Sequence, residues 1–313
     1  ARVWTDADRL YSWMLRRLPF IRPDFASVRS DEYPLRLWTV AVFLFGSLPL
    51  LRKRGIGRLV IGDEYDTTVR ASYGGIPHYA GLYDQSRYFD NALSRYFRAK
   101  GFGVAQFSLL RPLSELLIEK ALAERYPDLQ REQVSCHSAH ERDGRIHPCG
   151  KCEKCRRIVG MLLALGADPR ACGYTAEQIA ALLGTLATFG VHQESAGARQ
   201  LFHLLSERGL LPAGASAAMS ATEHPEVMKL RFDRERAPFD TIPRDLREPL
   251  YRILLEHADG AVQRNGRVWQ DVDPLGEPAL FAPYRNEDAS WEPCKGEADP
   301  ATHTDDFLLG EVS

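Results

Sequence analysis

Residues 135–155 read SCHSAHERDGRIHPCGKCEKC. Cys136, Cys149, Cys152 and Cys155 fall in the pattern C-x12-C-x2-C-x2-C. Two overlapping C-x-x-C turns and one upstream cysteine bring four soft ligands within short reach. Zinc takes such a set: it is tetrahedral, favours thiolates, and is wrapped by closely spaced pairs. Gly150 frees the backbone where the knuckle turns sharply. Lys151, Lys154, Arg156 and Arg157 put positive charge beside the cysteines, which is expected to lower thiol pKa values and to offset a negatively charged four-thiolate centre. The same thiolates also suit an iron–sulfur cluster or a disulfide pair, and both stay open at this point. Six cysteines in 313 residues are sparse for a disulfide scaffold. His137, His140 and His147 lie within the segment and could replace a cysteine. With four cysteines present they read as outer groups or solvent-facing side chains. Four protein ligands leave no open position, so the metal is expected to hold structure and not to perform chemistry.

Outward from this stretch, length allows one large domain or two modest ones. The hydrophobic fraction of 44% supports a real core, and a net charge of −2 gives no global argument for nucleic acid. Within the knuckle, the basic run Lys151–Arg157 is the one local feature in its favour. The most apolar stretch, Leu37–Leu51, is too short to span a bilayer and contains Gly46 and Pro49. Cysteine use and the lack of a targeting segment place the chain in the cytoplasm by expectation. The sequence starts at Ala1 and not at Met, as a processed or longer polypeptide would give.

Arg2–Trp4 reads as a strand end, and Leu10, Trp13, Met14 and Leu18 follow at helical spacing. Leu35–Leu48 is apolar almost all round and is expected to be a buried helix. The loop before it carries Arg29 and Arg36, either an anion-facing pair or plain solvated charges. Arg58–Ile61 reads as a buried parallel strand, and Val104–Ser108 as a second short strand. Asp63, Glu64 and Asp66 follow the first of these, where open α/β sheets bind ligands. They could hold Mg²⁺, or form only an acidic helix start. Residues 73–91, rich in Gly and Tyr, read as an ordered functional loop, and Leu93–Phe97 as a helix. Ser114 is expected to cap a helix ending near Tyr126. Further helices are expected over Arg157–Leu165, Thr175–Phe189, Ala196–Arg208 and Arg244–His257, with a hairpin or turn over Val268–Glu277 and a flexible acidic tail from Thr302.

Taken together, the strand followed by Gly62-Asp63-Glu64-Tyr65-Asp66, the Gly/Tyr segment, Arg111-Pro112-Leu113-Ser114-Glu115, and Ser135-Cys136 with Pro148-Cys149-Gly150-Lys151-Cys152 and Cys155 resemble the 7-cyano-7-deazaguanine synthase family of N-type ATP pyrophosphatases. The likeness spans roughly residues 28–165; the zinc segment is its most specific part. It implies an α/β fold with a Rossmann-like or flavodoxin-like parallel sheet, present here in part, plus the zinc knuckle and a C-terminal helical extension. It also implies ATP-dependent adenylation of a 7-carboxy-7-deazaguanine-type carboxylate, then attack by ammonia or an amine to give an amide or nitrile. ATP and Mg²⁺ are implied with it. Asp63, Glu64 and Asp66 would lie near nucleotide or metal. Tyr83, Asp84, Arg87 and Phe89 would contact the base-like substrate, and Arg29 and Arg36 would face phosphate or carboxylate. No residue is assigned as catalytic.

The chain departs from the family in two ways. The Ser-Gly-Gly-x-Asp-Ser phosphate loop does not occur in these residues. It is expected upstream, on another polypeptide, or lost in this branch. Without it the chain alone is not expected to hydrolyse ATP, and a non-catalytic zinc-stabilised subunit is the alternative. The chain also continues far past the zinc site, as in antiphage-defence members whose acceptor can be a protein. The expected division is 1–165 for the pyrophosphatase part with zinc at 136–155, 166–222 for a helical extension, and 223–313 for a charged accessory region. A deazaguanine-like small molecule is the expected partner, with a protein acceptor, a partner subunit or a homo-oligomer left open; neither a membrane nor nucleic acid is expected.

Overall fold

The computed structural model describes residues 9, 39–55, 57–73, 76–79, 83–136, 138–211 and 221–285. The strand expected at Arg2–Trp4, the first helix beyond Arg9, Arg29, Arg36 and the tail from Thr302 lie outside the described residues. The fold is α/β, with helices outweighing small parallel and mixed sheets. No described helix is long and apolar enough to cross a membrane. The chain forms two compact units, one of residues 1–109, 240–242 and 283–313, the other of 110–239 and 243–282. They part at Leu109 and not at residue 165, because the cysteine segment packs with the helices that follow it.

In the first unit, helix α1 (Thr39–Arg54) leads to strand β1 (Arg58–Ile61). Strands β2 (Arg70–Tyr73) and β3 (Ile76–Tyr79) pair antiparallel. Helix α2 (Arg87–Ala99) then carries the chain to β4 (Ala105–Ser108), which lies parallel to β1 with Arg58 opposite Ala105 and Ile61 opposite Ser108. A parallel pair needs such a crossover. Residues 73–91, expected as one irregular loop, thus contain a strand, a 3-10 turn at Tyr83–Gln85 and the start of α2. Ser86 caps α2 by accepting the Phe89 N–H. This helix is far longer than Leu93–Phe97 because its buried face mixes Asp90, Asn91 and Ser94 with Leu93 and Phe97, which hides the apolar period.

Leu44, Leu51, Leu93, Phe97 and Val104 form the core of this unit. The reading of α1 as buried all round is corrected: Ala41, Leu44 and Leu51 face inward, while Phe43 is 57% exposed. The reading of β1 as fully buried is corrected too, with Val60 54% exposed. Among the described residues β1 pairs only with β4, so one side of the sheet carries side chains outward. Tyr284 returns to this unit, its ring edge-on to Phe107 and its hydroxyl bonded to the Gln106 carbonyl.

The second unit begins with α3 (Glu115–Arg125), capped as expected by Ser114, whose hydroxyl accepts the Leu117 N–H. The antiparallel pair β5 (His140–Arg142) and β6 (Arg145–His147) follows. Helix α4 (Glu153–Leu165) packs on α3, on α5 (Ala176–Phe189) and on α6 (Ser195–Glu207), and α6 also meets α3. Thr175 and Gln178 close α5 with a reciprocal capping box. Gly160 lets α5 approach closely, since a Cβ there would sit 3.0 Å from a Leu186 methyl. Leu116, Met161, Leu162, Leu186, Leu201 and Leu205 are fully or almost fully buried in one cluster.

Residues 221–239 and 243–282 are folded into the same unit and are not an appended accessory region. Val227 and Met228 enter the helical core. Strand β7 (Leu230–Phe232), helix α7 (Arg244–Leu255) and strands β8 (Ala261–Asn265) and β9 (Val268–Asp271) complete it. β7 is parallel and β9 antiparallel to β8. Phe232 stacks on Phe239, and both meet the edge of Tyr251. Arg247, fully buried at the base of α7, donates to the carbonyls of Leu280 and Ala282 at 3.0 and 2.7 Å.

Candidate metal centre

The four cysteines come from three local structures. Cys136 ends the segment after α3, Cys149 follows β6, and Cys152 and Cys155 open α4. Cys152 is the α4 N-cap, its sulfur accepting the Cys155 N–H. The turn between Cys149 and Cys152 rests on Gly150, whose φ of +69° a side chain would adopt only with strain. A Cβ there would also collide with Gln178 of α5. The three partly buried cysteines pack against the helical core, and Cys155 lies within it.

All four sulfurs lie within 4.8 Å of one another. Cys136 to Cys152 and Cys149 to Cys155 are each 3.8 Å, and Cys152 to Cys155 is 3.5 Å. These gaps are far beyond a disulfide bond of about 2.05 Å, and all four are free thiols. A tetrahedron with metal–sulfur bonds of about 2.3 Å has edges of about 3.8 Å. The donor set therefore fits a metal ion such as zinc. Backbone N–H groups of Ser138 and Cys149 point at the Cys136 sulfur, at 3.3 and 3.2 Å. Such donors stabilise thiolate charge on a metal.

The expected lowering of thiol pKa by neighbouring cations is corrected. Burial, first of all, pushes the Cys136 and Cys155 thiols up. Arg156 instead donates to the Gly190 carbonyl at 2.8 Å. Arg157 donates to the His192 carbonyl and pairs with Glu115 at 3.4 Å. Both guanidinium groups are spent on the segment after α5 and on α3. Thiolates in so buried a place need a bound cation to persist, which couples metal binding to proton release. The hydroxyl of Tyr174, a residue with no mark of its own in the sequence pattern, lies beside the Cys155 sulfur; burial first, and that sulfur second, raise its pKa. Its place between Gly173 and the α5 cap Thr175 is the signal that could have found it. Cys172 is buried outside the set, bonded to the Gln130 carbonyl at 3.4 Å. Cys294 and His137 lie outside the described residues. His140 and His147 face each other on the hairpin and not toward the sulfurs' set.

The residues read as a ligand site in the first unit gather at the ends of β1 and β4. Asp63 is buried, its N–H donating to the Ser108 hydroxyl and its carbonyl accepting from it. Glu64 precedes the 3-10 turn Tyr65–Thr68, and Asp66 lies within it. Thr68 accepts the Arg87 N–H, joining this turn to α2. Arg87 is buried with its guanidinium 4.5 Å over the Tyr88 ring. Tyr83 is exposed and edge-on to Phe89. One Asp84 oxygen accepts the N–H groups of Val40 and Ala41 at 3.0 and 3.3 Å, so this carboxylate anchors the start of α1. Burial nevertheless raises its pKa. Comparison with family models, curated proteins and solved structures finds no match for this chain.

Proposed function

We propose that Cys136, Cys149, Cys152 and Cys155 hold one structural zinc ion, and that the chain is the substrate and zinc part of a deazaguanine-synthase-like ligase. The observation that carries the zinc reading is that all four sulfurs lie within 4.8 Å of one another, with three separations of 3.5, 3.8 and 3.8 Å near the edge of a single thiolate tetrahedron. A four-iron cluster sets its thiolates on four separate irons and so farther apart. With four sulfurs used there is no open position, and the ion joins the start of α4 to the segment after α3.

The ligase reading rests on the resemblance and is supported by the β1–α2–β4 crossover. Its parallel strands end at Ile61 and Ser108, with Asp63 just beyond, where open α/β sheets of Rossmann-like type receive ligands. In this reading Asp63, Glu64 and Asp66 face nucleotide and Mg²⁺, and Arg87 with Tyr83 and Phe89 contacts the base-like part of a 7-carboxy-7-deazaguanine-type substrate, while Asp84 holds the start of α1 beside them. ATP would supply adenylation of the substrate carboxylate, and ammonia or a protein amine would displace the adenylate. The phosphate loop would come from outside these 313 residues.

Elemental analysis and ATP–pyrophosphate exchange test the two parts separately. One zinc per chain is expected; none, or iron with sulfide, would overturn the first part. Exchange that depends on added 7-carboxy-7-deazaguanine is expected of the natural polypeptide. Binding of that compound with no exchange would favour a non-catalytic subunit completed by a partner. No binding at all would overturn the ligase reading.

A further inference from the structure

The β5–β6 hairpin carries a charge pattern that neither the metal nor the ligase reading uses. Its two-residue turn is Asp143-Gly144, with φ of +56° and +73°. Positive φ at both positions is the hairpin turn that fixes register most strongly. The register sets His140 opposite His147, Glu141 opposite Ile146 and Arg142 opposite Arg145. Side chains alternate faces along a strand. His140, His147, Arg142 and Arg145 therefore share one face, and Glu141 with Ile146 takes the other. The two imidazoles confirm it, with ring centroids 6.1 Å apart and planes within 30°.

This arrangement runs against hairpin stability. Like charges directly opposite each other are destabilising, and an acid opposite a base is favoured. Here the strand acid Glu141 faces away from the arginines. The nearest carboxylate to Arg142 is Asp143 in the turn, at 3.8 Å and almost fully exposed. Arg145 donates to the Arg131 carbonyl, which steadies it without neutralising it. Both strands are exposed except at the partly buried His147. His140, Arg142 and Arg145 are exposed on this face and the half-buried His147 ring lies beside Gly173, so the planar basic groups open to solvent there suit anions that also offer flat surfaces.

We propose that this hairpin face binds single-stranded nucleic acid, with Arg142 and Arg145 on phosphates and the His140 and His147 rings available for base stacking. Arginine planes and histidine rings are the groups on which unpaired bases stack. The net charge of −2 over the whole chain makes the local pattern the source of attraction. The inference is independent of the ligase reading.

The test is fluorescence anisotropy with a labelled single-stranded oligoribonucleotide, titrated over salt concentration with the metal-loaded protein. Binding at low salt is expected. In R142E/R145E the affinity should fall at least about tenfold, and the log–log salt slope should shrink by about 1.4, for two phosphates lost from a single strand. E141Q, on the opposite face, should bind as the parent does. Metal content reports whether the hairpin variant remains folded, and R142Q/R145Q takes its place if it does not. Absence of binding at low salt, or affinity unchanged in the arginine variants, would overturn the proposal. So would displacement of the strand by tripolyphosphate as readily, charge for charge, as by unlabelled RNA.

Discussion

The Tyr174 hydroxyl sits on the sulfur of Cys155, the one fully buried member of the four-cysteine set. Tyr174 belongs to the short link that delivers Thr175 as the cap of α5. This proximity brings the start of α5 to the start of α4 at the metal centre. Outer groups of this kind typically change metal affinity about 10–100-fold. Tyr174→Phe keeps the ring and removes the donor. Chelator competition should show weaker zinc binding by a factor in that range, at unchanged stoichiometry. Equal affinity would reduce Tyr174 to packing alone.

Cys149→Ser should lose the metal and, with it, cooperative unfolding of the second unit. The four sulfurs connect three segments, and the binding energy of a structural zinc is largely folding energy. Cys172→Ser should keep one zinc per chain, since the Cys172 sulfur bonds to Gln130 and not to the set. Elemental analysis with a thermal melt checks both. A Cys149→Ser protein that retains zinc, or a Cys172→Ser protein that loses it, would mean that another residue ligates.

Glu119 of α3 makes stability depend on pH. It is buried beside Gln133, which donates a hydrogen bond to one carboxylate oxygen, while the other oxygen has no hydrogen-bond partner. Burial raises its pKa from 4.5 to about 7, with Glu115 adding to the rise and Arg157 opposing it. The folded state therefore holds a proton that the unfolded chain has released. Stability from this group is full below about pH 4.5, falls as pH rises toward 7, and is flat above that. The span is about 3 kcal/mol by linkage. Glu119→Gln should remove that span and stabilise the protein above neutrality. The check is the difference between parent and variant in denaturant melts at several pH values; a constant difference would show that Glu119 does not titrate there.

Much of the metal centre and its helices was legible because each rests on local chemistry. The spacing of Cys136, Cys149, Cys152 and Cys155 fixes the donor set, and Ser114 and Thr175 cap the helices they precede. What stayed hidden depends on distant partners or on signals that compete. The Asp143-Gly144 turn lies inside the cysteine loop and was overshadowed by it. The Gly74-Gly75 pair between β2 and β3 is a hairpin signal, read instead as part of a loop. α2 was read as only five residues because its inward face carries Asp90, Asn91 and Ser94. The exposure of Val60 depends on which strands flank β1, and no residue of β1 itself encodes that. The cations at Arg156 and Arg157 were read as neighbours of the sulfurs, yet the helix turns them toward carbonyls at Gly190 and His192.

Truncation after Glu223 should destroy the metal core, although the sequence there reads as a charged appendage. The residues that follow supply part of that core. Val227 is completely buried and Met228 nearly so, in the cluster that contains Cys155 and Leu116. The Ser114 hydroxyl donates to the Val227 carbonyl at 2.7 Å, and the Arg231 N–H donates to the Pro112 carbonyl at 2.7 Å. Arg231 itself, 1% exposed, forms an ion pair with Glu194 at 2.8 Å. Truncation removes it together with Arg236, the other cation beside Glu194 at 3.6 Å, and leaves that carboxylate without either. Each apolar side chain lost from such a site is worth about 1.5–3 kcal/mol, and a buried ion pair broken on one side costs about 3–5 kcal/mol. Two side chains and one pair already approach the whole stability of a typical domain, about 5–15 kcal/mol. The truncated protein should therefore bind substoichiometric zinc and melt without a cooperative transition. A truncated chain with one zinc and an unchanged melting temperature would show that residues 224–285 rest on the helical core without supporting it.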